Sequence, residues 1–421
     1  MTVNAHAAFE NSTDNSYRKN LTPSDAEINE LRDARDKVRA TLKSAFSDWE
    51  GRMDAGVLFE DSVAVAFSAD AQKPSLSPKF RGQGSYQYRT LNQPTQNPPQ
   101  EMDFDDGMFL PTSFMSQNGR VHPSVASDGY FRLVEEALAP LCAKEGWSLP
   151  DDKDKKDSCV RVILNNGRSH LDVALYAIPD DQYEILVEKA LNSTNNVFTA
   201  DQSSNLQFMD QIYETIDPDQ IMLAHRKEGW KISDPRLLER WFLSAINEHG
   251  EQLRRVCRFL KGWRDHSWEK CRLSSIALMA CVVKFYNESI DDFVGRDDLA
   301  LLAVSKKLPG YLSQEIVNPV VEGRLDEGWD DGDEPCRAEF VAQSEQFQSK
   351  LSSALATTGK AETLAQLADL FGIHFPKDEG LIVVDGESQE SASTSAAILG
   401  SLGSAEDTSS AVKIGGNERY G

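Results

Sequence analysis

Gly82-Gln83-Gly84-Ser85-Tyr86-Gln87-Tyr88 is the first of two runs that decide the fold, and Met102-Asp103-Phe104-Asp105-Asp106 is the second. The first run offers small residues and backbone N–H groups that can approach an anion such as a triphosphate closely. In the second run, alternate residues of a strand point to one face, so Asp103 and Asp105 project together while Phe104 points into the core. Neighbouring carboxylates repel each other unless a cation compensates them, so the pair predicts a divalent metal site.

A β-hairpin carries a third carboxylate. Residues 159–164 and 169–178 are rich in strand-forming residues, and they flank Asn165-Asn166-Gly167-Arg168. The Asn-Gly pair is a strong signal for a tight turn between two strands. In the second strand, Asp172 lies among apolar residues, and a carboxylate on a mostly buried sheet is unfavourable unless a cation or metal pairs with it.

Each of these motifs is weak when taken alone. An Asp-x-Asp pair is common in an acidic chain, where it usually marks a solvated face or loop. A strand aspartate is often satisfied by a neighbour, and Arg168 or His170 could pair with Asp172. The order of glycine-serine turn, paired aspartates and strand aspartate nevertheless favours catalysis. If Asp103, Asp105 and Asp172 lie close together, a two-metal mechanism is possible. One ion would activate the attacking hydroxyl, and the other would stabilise the triphosphate and the pyrophosphate that leaves.

The chain resembles the bacterial cGAS/DncV-like nucleotidyltransferases (CD-NTases), and within them the DncV-type cyclic dinucleotide synthases of CBASS antiphage systems. The similarity runs from about Thr22 to about Phe375. Beyond the 82–88 run, it is carried by Thr90-Leu91-Asn92, Gln100-Glu101-Met102-Asp103-Phe104-Asp105-Asp106-Gly107, His170-Leu171-Asp172-Val173, Tyr176-Ala177-Ile178-Pro179 and Val256-Cys257-Arg258-Phe259-Leu260-Lys261-Gly262-Trp263-Arg264-Asp265. The resemblance implies an α+β fold, in which a polymerase-β-like nucleotidyltransferase lobe with a mixed β-sheet joins a helical lobe. The active site would lie in the cleft between the lobes.

The resemblance also implies roles for individual residues. Asp103, Asp105 and Asp172 would be the catalytic and metal-ligating residues for two Mg²⁺ ions, with Mn²⁺ as an alternative ion, and Asp172 would also position or deprotonate the acceptor 3′-hydroxyl. The residues expected to bind nucleotide are Gln83, Gly84, Ser85, Gln87, Tyr88, Arg161, Lys261 and Ser275. Among these, the first three would hold the donor phosphates, and the last two would contact the donor triphosphate from the helical lobe. A basic helix such as the one that carries Lys261 is otherwise usually a solvated face.

The implied activity is magnesium-dependent joining of two NTPs into a cyclic dinucleotide with release of pyrophosphate. The family-based expectation is ATP and GTP as substrates and 3′,3′-cGAMP as product, a second messenger for antiphage defence read by a downstream effector. The alternative is a template-independent nucleotidyltransferase that makes linear oligonucleotides or modifies RNA ends. A non-catalytic nucleotide-binding scaffold is a third class, which the intact set of aspartates disfavours.

Composition limits the remaining classes of function. A chain of 421 residues exceeds a single core and fits two lobes with a tail. The net charge of −23 disfavours stable nucleic-acid binding, which needs a basic track. Six cysteines without a Cys-x-x-Cys pair indicate reduced thiols, and neither a signal peptide nor an apolar run of membrane-spanning length is present. We therefore expect a cytoplasmic protein without a membrane span, and the resemblance implies a bacterial one.

Four segments are predicted along the chain. Residues 1–21 are polar and expected to be disordered, and 22–230 form the catalytic lobe, including a long bracing helix that starts at Thr22-Pro23-Ser24 and a loop at 72–82. Residues 231–380 form the helical lobe. Residues 381–421, rich in Ser, Ala, Gly and Thr, are expected to be a disordered tail. Gly421 at its end is either a frayed terminus or, as the resemblance implies, the substrate of a ubiquitin-transfer-like CBASS ligase.

Overall fold

The computed structural model of the chain describes residues 3–11, 15–47, 77–95, 99–112, 123–164, 168–186, 216–331 and 336–384. Helices and a mixed β-sheet both contribute to it, which confirms the expected α+β class. Within these residues, no helix combines the length and the apolar character needed to cross a membrane.

The elements are numbered in chain order. The strands are β1 (Val3–Asn4), β2 (Lys79–Gln83), β3 (Met102–Pro111), β4 (Cys159–Ile163), β5 (Ser169–Ile178), β6 (Met222–His225), β7 (Gly229–Ile232) and β8 (Val383–Val384). The helices are α1 (His6–Phe9), α2 (Tyr17–Asn20), α3 (Asp25–Ser47), α4 (Gly84–Gln87), α5 (Pro123–Glu145), α6 (Pro235–His249), α7 (Glu251–Ser267), α8 (Ser275–Glu288), α9 (Asp297–Leu312), α10 (Arg337–Ala356) and α11 (Lys360–Phe371).

Strand β5 is the centre of the six-stranded sheet. β3 runs parallel to β5 along its whole length, while β4 and β6 pair with it in antiparallel orientation on the other edge. β2 extends the sheet beyond β3, and β7 extends it beyond β6. Because β3 and β5 are parallel neighbours, residues that are distant in the chain come level with each other across the sheet.

Helices α3 and α5 cover one face of this sheet. α3 begins with a capping box in which Ser24 Oγ accepts from the Glu27 N–H (3.3 Å) and Glu27 Oε2 accepts from the Ser24 N–H (2.9 Å). Its buried residues, such as Leu31, Val38 and Leu42, recur at helical spacing and pack with α5 against the apolar side chains of β3 and β5. This core leaves the other face of β5 free to carry polar groups.

Helices α6 to α11 surround a second core. α6 begins where Asp234 caps it and Pro235 occupies its first turn, as the Asp-Pro pair predicts. α7 and α8 supply many of the fully buried side chains of this core, such as Leu260 and Val282. The second core forms the helical lobe beside the sheet.

The expectation of disorder over residues 1–21 is wrong for the described part of that segment. Phe9 and Tyr17 are fully buried, and the Ala5 N–H donates to Asp298 Oδ2 at 2.9 Å. Both rings join an aromatic cluster with Phe259, Phe371 and Phe375. The segment has too few apolar residues to show a periodic pattern, and it is ordered by packing against the helical lobe.

Two other expectations also differ from the structure. Residues 381–384 belong to the ordered lobe, because Ile382 is buried and β8 pairs with β1. Residues 79–83 of the expected 72–82 loop form strand β2, whose register against β3 is set by backbone pairing. The remainder of the predicted tail, 385–421 with Gly421, and the predicted Asn-Gly turn lie outside the described residues.

Candidate active site

The β3–β5 register brings the predicted aspartates together. Asp105 is level with Asp172, and Asp103 is level with His170. Phe104, between the two β3 aspartates, is buried in the core on the opposite face. The alternation of side chains along both strands therefore directs Asp103, Asp105 and Asp172 to the same face of the sheet.

Each of these carboxylates has a different environment. Arg161 on β4 donates two hydrogen bonds to Asp172, from Nε to Oδ1 at 2.8 Å and from Nη2 to Oδ2 at 2.6 Å. Asp103 Oδ1 forms an ion pair with Nε2 of His170. Asp105 receives neither a hydrogen bond nor an ion pair from any residue that the structure describes. One of the three is thus left without a cationic side-chain partner.

The pKa values reflect this difference. Burial, together with the charges of Asp103 and Asp172, raises the pKa of Asp105 to about 7. Partial removal from water also acts to raise the pKa of Asp103, but the contact with His170 and the charge of nearby Arg161 outweigh it and hold the pKa below its ordinary value. Burial acts to lower the pKa of His170, and its bond to Asp103 outweighs that effect, so the pKa is raised.

The carboxylate oxygens fit a hard divalent cation. Among the described residues, no group of three or more His, Cys, Asp or Glu side chains is placed so that the group could hold a metal ion by itself. Mg²⁺ does not require one, because it usually binds one or two carboxylates together with water and substrate phosphates. Asp105, which lacks a cationic partner and lies beside two other carboxylates, would be stabilised in its charged form by such an ion.

Gly84 allows the turn to lie against these carboxylates. It has a φ of +71° and opens α4, the short helix that follows β2. A Cβ added at Gly84 would overlap Asp105 Oδ2 and lie 2.6 Å from Asp105 Cγ. Only glycine fits this position, both because of its backbone conformation and because of the close approach. No side chain caps the start of α4, so its first N–H groups are available to an anion.

A cavity of 450 Å³ lies between the two lobes next to this turn. Its wall includes these predicted site residues: Gln83, Gly84, Ser85, Tyr88, Asp103, Asp105, Lys261 and Ser275. Gln87, Arg161 and Asp172 do not line it in the described structure, although Arg161 and Asp172 are joined to the site through the sheet. The cavity therefore collects most of the residues predicted to bind nucleotide.

Lys261 and Ser275 approach the cavity from α7 and α8. Lys261 is buried, and its Nζ donates to the backbone carbonyl of Thr90 at 2.7 Å. Burial, assisted by the charge of Arg264, lowers the pKa of Lys261 to about 8. Ser275 Oγ accepts from Arg264 Nη1 at 3.0 Å. This part of the wall carries two cationic side chains, Lys261 and Arg264, of which Arg264 is paired with Asp265.

Some residues of the cavity wall were not predicted as site residues. Arg264 and Asp265 form an ion pair there, and Arg264 could have been proposed because it follows Lys261 by one helical turn. Asn318, Val320 and Val321 come from the segment after α9. That segment has no motif or periodicity that would have indicated a binding surface.

Two family models match the chain. A DncV-like cyclic GMP-AMP synthase nucleotidyltransferase domain matches residues 78–176, and a cyclic GMP-AMP synthase C-terminal domain matches residues 250–384. A cyclic GMP-AMP synthase of Vibrio cholerae is 29% identical over 368 residues, which cover 83% of this chain and 78% of that protein. One of Escherichia coli is 33% identical over 263 residues, which cover 58% of this chain and 55% of that protein.

The chain is also similar to solved structures of a cyclic GMP-AMP synthase. Vibrio cholerae DncV in complex with the linear intermediate 5′ pppA(3′,5′)pG has a TM-score of 0.73 and 27% identity, covering 91% of this chain and 99% of that chain. A variant of the same enzyme with ATP and GTP has a TM-score of 0.74 and 27% identity, covering 91% of this chain and 100% of that chain. These matches confirm the expected polymerase-β-like nucleotidyltransferase lobe with a helical lobe. The chain belongs to the DncV-like nucleotidyltransferases and is an enzyme of that family.

Proposed function

We propose that the protein is a magnesium-dependent cyclic dinucleotide synthase that joins ATP and GTP into 3′,3′-cGAMP and releases pyrophosphate. The observation that carries the proposal is that Asp103, Asp105 and Asp172 lie on one face of the sheet beside the Gly84 turn, with Asp103 and Asp105 lining a cavity shared by both lobes. The relatives are named cyclic GMP-AMP synthases, and one solved structure contains a linear pppApG intermediate. That likeness supports adenine and guanine as the bases.

The donor triphosphate fits the end of the cavity where the turn meets the helical lobe. Gly84 and Ser85 supply uncapped N–H groups at the start of α4, and Gln83 lies beside them. Lys261 and Arg264 supply positive charge from the opposite wall. In a chain with a net charge of −23, such a local group of cations favours binding of a compact anion over binding of an extended nucleic acid.

The carboxylates are proposed to hold two Mg²⁺ ions, or Mn²⁺ in their place, through Asp103, Asp105 and Asp172. When bound, the ions would neutralise the triphosphate and stabilise the charge that develops on the leaving pyrophosphate. Asp172, held in one orientation by Arg161, would position the acceptor 3′-hydroxyl or accept its proton.

The proposed reaction has two transfers in one cavity. The 3′-hydroxyl oxygen of one nucleotide attacks the α-phosphate of the other, the α–β phosphoanhydride bond breaks, and pyrophosphate leaves. The linear product then turns, and its free 3′-hydroxyl attacks the remaining α-phosphate to close the ring with release of a second pyrophosphate. The protein contributes positioning and charge neutralisation, which dominate enzymatic phosphoryl transfer.

Product analysis tests this proposal. The purified protein is incubated with all four NTPs and Mg²⁺, treated with phosphatase, and the products are resolved by mass, with labelled single NTPs to identify the bases. A phosphatase-resistant cyclic dimer of adenine and guanine is the expected result. Products that phosphatase attacks, in ladders of increasing length, would favour the linear oligonucleotide alternative, and absence of any product would contradict both.

Variants connect the product to the site. Asp103→Ala and Asp105→Ala should each lower the rate on the order of a thousand-fold, because a metal ligand is lost. Asp152→Ala is the matched control, since this aspartate is 97% exposed and lies outside the cavity. Near-wild-type rates in both site variants would show that these carboxylates are not the metal site.

We also propose that the product is a second messenger in antiphage defence, read by a cyclic-nucleotide-activated effector. A ubiquitin-transfer-like ligase would join Gly421 to target amines. Deletion of Gly421 should leave dinucleotide synthesis unchanged, because the site lies within the two lobes, and should abolish ligase-dependent conjugation. Conjugation that persists in the truncated protein would reject this role of the C-terminal residue.

A further inference from the structure

His170 forms ion pairs with three carboxylates at the candidate site, namely Glu101, Asp103 and, at 3.8 Å from Nε2, Asp172. Its side chain is only 3% exposed. Nδ1 lies 2.9 Å from Glu101 Oε2, and Nε2 pairs with Asp103 Oδ1. Both ring nitrogens lie close to carboxylate oxygens, and Nε2 approaches Asp103 and Asp172 as an ion pair without an aligned hydrogen bond. These carboxylates and the surrounding core restrain the orientation of the ring.

Asp103 depends on this ring for its own orientation. Its side chain is 57% exposed, and no other residue that the structure describes pairs with its carboxylate. The β3–β5 register sets His170 directly level with Asp103, so the ring reaches the carboxylate without distortion of either strand. Arg161 restrains Asp172 in a corresponding way, through two hydrogen bonds from the neighbouring strand.

We propose that His170 is a positioning residue that orients the Asp103 carboxylate for a divalent cation, with Glu101 fixing the ring. This inference rests on the proposed metal-dependent function. The ring pairs with Oδ1 of Asp103, and more than half of the Asp103 side chain is exposed, so the carboxylate remains accessible to a cation. Carboxylates that ligate metals are commonly held by such outer partners, and loss of a partner lowers metal affinity or activity about 10–100-fold.

A ring that competed with the metal would have the opposite effect. If His170 neutralised Asp103 at the expense of the cation, its removal would free the carboxylate and tighten cation binding. Positioning predicts weaker binding on removal of the ring. The direction of the change in affinity therefore separates the two effects.

The test measures Mn²⁺ binding to the full chain by the electron paramagnetic resonance signal of free Mn²⁺, in the presence of a nonhydrolysable ATP analogue. The wild-type protein should show a saturable site that Asp103→Ala removes. Absence of that site from the wild type would overturn the metal proposal and this inference with it. A wild-type site that is indifferent to His170 would overturn this inference alone.

Three variants complete the experiment. His170→Leu should weaken Mn²⁺ affinity about 10–100-fold, whereas His170→Gln, whose amide can donate to Asp103, should stay within about 3-fold of wild type. His249→Leu is the control, because this histidine bonds Asn287 outside the cavity and should leave the affinity unchanged. Unchanged or tighter binding in a folded His170→Leu protein would contradict positioning.

Folding of the leucine variant is checked by its melting temperature. If His170→Leu does not fold, Glu101→Leu replaces it, because Glu101 is 53% exposed and its loss frees the ring without opening the core. Mn²⁺ affinity should then fall by about 3-fold or more. Wild-type affinity in that variant would overturn the proposed chain from Glu101 through His170 to Asp103.

Discussion

Gly84→Ala is the most direct test of the site geometry. At a φ of +71°, an alanine costs about 1–2 kcal/mol relative to its preferred conformations. Its Cβ would overlap Asp105 Oδ2 and lie 2.6 Å from Asp105 Cγ, whereas an ordinary contact is at least 3.4 Å. The carboxyl carbon must therefore retreat by about 1 Å, and a displacement of that size at a catalytic group lowers the rate on the order of 100-fold.

Gly82→Ala is the matched control two residues earlier. Gly82 lies within β2 without a positive φ, and the nearest atom to an added Cβ is Gln87 Oε1 at 3.7 Å. Both variants are compared by the initial rate of pyrophosphate release at saturating NTP and by urea unfolding. We expect Gly84→Ala to lose about 100-fold in kcat with about 1–2 kcal/mol of stability, and Gly82→Ala to gain up to about 1 kcal/mol. A Gly84→Ala rate close to wild type would refute the close approach to Asp105.

The remaining predictions concern stability and the cation. The folded pKa of Asp105 is about 7, above its unfolded value of 3.8. The metal-free protein should therefore lose stability as pH rises from the unfolded pKa to the folded pKa, because the buried carboxylate becomes charged. Asp105→Asn should therefore raise the free energy of unfolding by about 1–3 kcal/mol at pH 8 and less at pH 5, and an equal gain at both would contradict this. Mg²⁺ should raise the melting temperature of the wild type more than that of Asp105→Asn, measured with EDTA as reference. Arg161→Met should lower the free energy of unfolding by about 1–3 kcal/mol, because Asp172 loses both hydrogen bonds; no loss would show that the pair is not stabilising. Phe9→Ala should lower the free energy of unfolding, measured in urea, by about 3–5 kcal/mol, because a fully buried ring is removed. A loss below about 1 kcal/mol would mean that the N-terminal segment is not part of the core.

The sequence predicted the parts of the site that depend on local pattern. Strand alternation was enough to direct Asp103 and Asp105 to one face, and strand propensity identified the strand that carries Asp172. The parallel register that sets Asp105 level with Asp172 is a long-range property that no local pattern contains. The contact of Gly84 with Asp105 depends on atomic packing across that register, and it was equally inaccessible.

The missed elements share a physical cause. The Pro, Ser and Lys residues of 72–82 predict a loop, whereas Lys79–Gln83 forms strand β2 by pairing with β3. Phe9 and Tyr17 looked like isolated apolar residues in a polar terminus. In each case, tertiary packing overrode a weak local signal.

The buried N-terminal segment also bears on how the enzyme is made. Ala5 bonds to a residue 293 positions later, and Asn20 donates to the carbonyl of His374, 354 positions later. Because synthesis proceeds at about 5–20 residues per second, those partners are made roughly 15–70 seconds after the residues that they bond. The rings of Phe9 and Tyr17 are not sheltered until Phe371 and Phe375 have been made. Products that stop before these residues should therefore lack a closed helical lobe.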